Sequence, residues 1–146
     1  MLTSAKLIAG MLLACTAVYT YYLFISLSSN APTGLGYYPA STLLGFLVGW
    51  RSIGFDPGFG GIGSIVAGLR GVVVLVFVSA VFWGGWLVTL KLIGFYIKDF
   101  PSILSVWVSS AINFLIVLTD PGIVVTLLIG GCISGIGSGL ANRYWT

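Results

Sequence analysis

The side chains able to do chemistry in this chain are few and scattered. Its 146 residues hold two cysteines, three acids, six Lys or Arg, and no His. The acids are Asp56, Asp99 and Asp120, so Glu is missing as well. A catalytic centre needs a nucleophile beside a base, or ligands grouped around a metal. Without imidazole the chain lacks the commonest general base and the commonest metal ligand. Asp56 and Asp120 each precede a proline, and Asp99 stands two before one. Those are positions that begin helices and turns, so no carboxylate pair for acid–base work is expected. Cys15 and Cys132 lie inside apolar stretches and outside any C-x-x-C or zinc spacing. If the first and last stretches pack together, the two thiols could meet and reduce or bind a soft oxyanion. The plainer use of cysteine in such surroundings is as a small apolar filler. The reading is of a protein that is not an enzyme and holds no catalytic, cofactor-binding or metal residues.

The elements that would position these residues are apolar rods. Apolar residues make up 58% of the chain and charged ones 6%. Soluble domains carry about 45–50% and about 25% respectively, and a domain of this size still exposes roughly a third of its surface. Lipid is the solvent that accepts such a surface, and residues 1–146 read as a single integral membrane domain. The net charge of +3 comes from singly scattered residues with no basic run, which excludes a phosphate-tracking face and hence nucleic acid as a partner. Leu12-Leu13-Ala14-Cys15 has the look of a lipoprotein cleavage box. The apolar stretch before it is too short, however, and Val18 to Leu27 continues as membrane-like sequence, so a first transmembrane helix is expected instead.

That helix should run from Thr3 to Ser28, its Leu7–Leu27 stretch supplying about the 20 residues a bilayer core requires. Ala40 to Trp50, opened by Pro39, forms a short second helix. Gly54 to Gly63 is a glycine-rich connector without the Lys-Ser/Thr of a phosphate loop. A long third helix begins near Ile62 and reaches at least Leu90. Ile103 to Leu118 is apolar but interrupted by Ser105, Ser109, Ser110 and Asn113, and reads as a short re-entrant or interfacial helix. Thr119-Asp120-Pro121 restarts the chain into a last helix, Gly122 to Asn142. The fold class is all-α: a polytopic membrane bundle of four transmembrane helices plus the Ile103–Leu118 segment. With the N-terminus cytoplasmic, Lys6, Arg51, Arg70 and Arg143 fall inside and Lys91 and Lys98 outside, as the positive-inside rule asks. Trp50, Arg51, Arg143 and Trp145 then anchor the inner interface. Tyr21, Tyr22, Tyr37, Tyr38, Trp83 and Trp86 lie toward the outer one.

Glycine accounts for 21 residues. In lipid no hydrophobic force joins helices, so small residues that let backbones approach must do so. Gly131, Gly135 and Gly139 form a stripe on the last helix, and Gly45 and Gly49 one on the second. These are the expected helix-packing or partner faces, the partners being the lipid bilayer with another membrane protein or a second copy. Thr16, Thr20, Ser79, Thr89 and Asn113 are expected to hydrogen-bond across helices rather than bind a substrate.

Several of these residues occur together in a recognisable order. Thr3-Ser4-Ala5-Lys6-Leu7 opens the chain. Gly45-Phe46-Leu47-Val48-Gly49-Trp50-Arg51 with Gly54 follows, then Pro121, Thr126-Leu127-Leu128-Ile129-Gly130-Gly131, and Arg143 with Trp145. End to end this resembles the TrgA family, small bacterial inner-membrane proteins linked to tellurite resistance, and the G-x-L-V-G-W-R-x-x-G block is its most specific part. The resemblance implies a multi-pass protein of the bacterial inner membrane, acting in tellurite or envelope stress tolerance by binding or stabilising another membrane component. An accessory subunit of a larger bioenergetic or photosynthetic membrane complex is the other expectation. No catalytic residue carries over.

Overall fold

The computed structural model describes residues 4–28, 36–55, 60–94 and 99–144. Among them are five α-helices and no strand. They are α1 (Ser4–Leu27), α2 (Tyr37–Val48), α3 (Gly60–Ile93), α4 (Phe100–Leu118) and α5 (Pro121–Tyr144), with a π turn at Gly49–Ile53 directly after α2. The breaks fall where the sequence places them. Pro101 stands in the first turn of α4 after Asp99, and the Asp120 carboxylate accepts the Gly122 N–H at 2.9 Å to open α5. Asp99 takes the cap position without a side-chain hydrogen bond. Thr3, Lys98 and Trp145 lie outside the described residues.

The helices sort into one all-α bundle. α2 runs back along α1: Tyr37 stands by Tyr21 at one end, and Gly54 meets Lys6 at the other. α5 also runs against α1, with Gly130 on Thr16, Gly137 on Leu12, and the Ser138 hydroxyl donating to the Ala5 carbonyl at 3.3 Å. α5 opposes the first half of α3, where Gly131 meets Val72 and Gly135 meets Ser64. α4 opposes the second half of α3, where the Trp107 indole N–H donates to the Val81 carbonyl at 3.2 Å and Leu118 shares a wall with Leu75 and Val76.

This arrangement decides how the rods are counted. Among the described residues four helices, α1, α3, α4 and α5, are long and apolar enough to cross a membrane. Consecutive crossings must alternate in direction. α4 and α5 both run opposite to α3 and are joined by only Thr119 and Asp120, so they form one return path in series. α2 has 12 residues, but with its π turn it covers the same depth of α1, from Tyr21 down to Lys6. Along the bundle, α1, α2 with the π turn, α3, and the α4–α5 pair therefore alternate in direction. The segment expected to be short, Ile103–Leu118, belongs to the 19-residue helix Phe100–Leu118. Its length passes for a span; its direction makes it continue into α5 along α3. Only Leu118 of α4 is buried, so that helix lies on the outside of the bundle.

The seams are built from small residues. A Cβ on Gly45 would sit 2.7 Å from the Ala17 Cβ and 2.8 Å from the Ala14 Cα, and one on Gly49 would sit 2.5 Å from the Ala9 carbonyl oxygen. On α3 and α5, a Cβ at Gly68 would strike the Gly131 carbonyl, and one at Gly135 the Ser64 carbonyl. Apart from the Ala17 Cβ, each obstacle is backbone, and neither backbone nor an alanine methyl has a rotamer by which to move aside. We expect Gly135→Ala to cost about 1–3 kcal/mol, the range for overpacking, and to lower the unfolding midpoint in detergent. Gly61→Ala, whose Cβ would meet nothing within 4 Å, should leave that midpoint unchanged or raised. Equal behaviour of the two variants in a thermal melt would remove the seam from this account.

Candidate functional site

One end of the bundle gathers positive charge. Lys6 near the start of α1, Arg51 in the π turn, and Arg143 in the last turn of α5 all belong to it. The Lys6 ammonium lies 4.0 Å from the centre of the Phe55 ring and the Arg51 guanidinium 4.9 Å from it. Arg70 starts deeper in α3 and reaches back to donate to the Ser52 carbonyl at 2.8 Å. The last carbonyls of a helix lack partners within it and carry the negative end of its dipole, so a guanidinium is the natural donor there. Trp50 is half-buried with its ring edge-on to Phe46 at 5.4 Å. Trp50, Arg51 and Arg143 thus share one end of the bundle.

The π turn gives that end its register. Gly54 N–H donates to the Gly49 carbonyl at 3.0 Å, five residues back. A π turn is wider than an α turn by about one residue. Gly45 and Gly49 are four apart and Gly54 comes five later, yet all three face α1, since a Cβ on Gly54 would sit 2.7 Å from the Lys6 Cα. In an unbroken α-helix Gly54 would rotate off this face. The spacing of four and then five was visible in the G-x-L-V-G-W-R-x-x-G block and is the signal that could have disclosed the turn.

The glycine stripes bind this chain to itself. Gly45 and Gly49 are taken by α1, and Gly131 and Gly135 by α3; Gly139 is half-buried further along α5. The thiols do not pair although α1 and α5 pack together: Cys15 is exposed, Cys132 is half-buried, and both are free. No cluster of three or more His, Cys, Asp or Glu able to hold a metal occurs among the described residues.

The opposite end is aromatic. Tyr21 and Trp83 stack with ring centres 5.5 Å apart and 7° between planes. Tyr37 leans on Trp83 at 5.1 Å, and the Trp86 indole N–H donates to the Tyr37 hydroxyl at 2.9 Å. Beside this cluster a cleft of about 390 Å³ opens between α1, α3 and α4. The hydroxyls expected to bridge helices do otherwise. Thr16 donates to Leu13 and Thr89 to Gly85, each within its own helix. Thr20 Oγ1 is buried without a hydrogen-bond partner.

No protein-family model, curated protein or solved structure matches this chain.

Arg70 is the polar tie that sequence inspection left as a topology charge. Its distance from Ser52 along the chain gave no sign that the two would meet. Arg70→Met should lower stability in detergent by about 1 kcal/mol, the usual worth of one hydrogen bond, while Arg70→Lys should recover part of it. Arg143→Met, on an exposed residue, is the control, and a loss as large as that of Arg70→Met would show that general charge, not the Ser52 bond, was responsible.

Proposed function

We propose that this chain is a TrgA-like protein of the bacterial inner membrane that acts without catalysis, by holding another membrane component, in tolerance of tellurite or envelope stress. The observation that carries the binding part is α4. All of its residues but Leu118 escape burial, and Leu104, Val108, Ile112, Leu115 and Ile116 are exposed along it. Its neighbours α1, α3 and α5 spend their small residues on one another, so α4 is the helix with a face to offer. The tellurite part rests on the resemblance. The block that carries the resemblance contains the π turn and lies at the basic end, and irregular helical geometry of this kind commonly marks a functional position.

The same face favours a second reading, an accessory subunit of a larger membrane complex, in which α4 would be covered permanently. Purification in mild detergent separates the two. A partner present in fixed stoichiometry supports the subunit, and one that is lost on dilution supports the stress-tolerance protein. A lone stable monomer from native membranes, together with unchanged tellurite tolerance after deletion of the gene, would exclude both.

The N-terminus is cytoplasmic in this proposal, because Lys6, Arg51 and Arg143 share one end and basic residues remain on the cytoplasmic side. In a Cys15→Ala, Cys132→Ala background, Ser28→Cys should react with a membrane-impermeant maleimide on intact cells. Ser52→Cys should react only after permeabilisation. The reverse pattern would invert the topology.

A further inference from the structure

We propose that the cleft between α1, α3 and α4 binds a neutral, membrane-soluble molecule whose flat ring carries carbonyl oxygens, the chemistry of a quinone. This goes beyond the stress-tolerance reading and does not depend on it.

Size and shape come first. The cleft encloses about 390 Å³, within the span of roughly 300–1,000 Å³ usual for small-molecule sites. Tyr21, Phe24, Trp83 and Phe114 form its inner wall and also bound a smaller recess of about 40 Å³ behind it. Phe24 and Phe114 meet at 5.1 Å between α1 and α4. Ile116, which also lines the cleft, is 61% exposed, so the cleft reaches the outer face of α4 and a ligand dissolved in the bilayer has access from that side. Flat aromatic walls favour a flat ring over a branched or globular body, through offset or edge-to-face contact.

Charge comes next. Among the described residues, no charged side chain lines the cleft or the recess. An ion would be stripped of water with nothing to compensate it, so the ligand is neutral. The polar groups then select among neutral molecules. Serines in an apolar helix ordinarily satisfy themselves on a carbonyl of the preceding turn, as Ser105 does on Ser102 and Ser109 on Val106. Ser110 and Asn113 line the cleft on the same helix, and no side-chain hydrogen bond holds either of them among the described residues. Hydroxyl and amide groups can all donate, which suits a ligand rich in acceptors. A plain acyl chain would leave every one of these donors unmatched, at the cost of unmade hydrogen bonds. A ring bearing carbonyl oxygens matches them.

Titration of the detergent-purified protein with a short-tailed benzoquinone tests this through quenching of tryptophan fluorescence. The expected result is a saturable component that Trp83→Phe largely removes. Asn113→Leu and Ser110→Ala should each weaken it about tenfold, which corresponds to 1.4 kcal/mol. Leu87→Trp, which puts a bulky ring into the cleft, should abolish it while the thermal midpoint stays in place. Two results would overturn the proposal. One is quenching that rises linearly and equally in every variant, the mark of a quencher merely dissolved in the micelle. The other is displacement of the quinone by a fatty-acid methyl ester at equal concentration, which would make the cleft a slot for lipid chains.

Discussion

Contact between bare backbones is the condition on which this bundle stands. In water, burying leucines against one another would be enough to gather helices. In lipid the surroundings are as apolar as the side chains, and only close packing and occasional hydrogen bonds remain. Gly68 against Gly131, Gly135 against Ser64, and Gly49 against Ala9 bring helix axes together at points where one added methyl would collide with a carbonyl. Many large side chains accordingly turn outward: Leu43, Leu47, Val73, Phe77, Val125 and Ile129 are exposed. The seams of this protein are made of its smallest residues, with large side chains such as Leu13, Ile53, Leu75 and Trp83 filling the space between them, and much of its outside is apolar.

Seen that way, the basic end and the aromatic end are the margins of one slab. The Ser138 hydroxyl on Ala5 and the Arg70 guanidinium on Ser52 stitch the first margin. The Trp86 indole on Tyr37 stitches the second. Tyrosine and tryptophan suit such a place because each has an apolar body and a polar tip. Between the margins almost every hydroxyl is returned to its own helix. Thr20 and the donors around the cleft are the exceptions, and they stand where the packing is loosest.

Much of this was legible from residue order. Prolines and acids mark the starts of α4 and α5, uncharged runs mark the long rods, and the basic residues Lys6, Arg51 and Arg143 sort to one end as their positions in the chain suggest. What resisted reading was relative direction. Ile103–Leu118 has the composition of a span, and nothing local says that α5 continues its course after Thr119 and Asp120; only contacts with α3 decide it. The π turn was half legible, because the spacing of Gly45, Gly49 and Gly54 encodes it for a reader who already knows that all three face one partner. Thr20 was misjudged for a similar reason. A threonine facing a neighbouring helix looks like a bridge until the neighbour proves to bring no acceptor.

The length of α3 has a consequence for where such a protein can live. Its 34 residues make a rod of about 51 Å at 1.5 Å per residue, against a hydrocarbon film of about 30 Å. Ile62 and Ile93, near its two tips, are both exposed and apolar, so neither tip is at ease in water. Arg70 and Lys91 bracket its uncharged run, and that run, Gly71 to Leu90, is about 30 Å long and matches the film. The turns beyond it lie in the headgroup layers on either side, so α3 reaches through both of them. A film that departs from the length of that run costs a fraction of a kcal/mol for each ångström of disagreement, which makes bilayer thickness a determinant of where the protein resides.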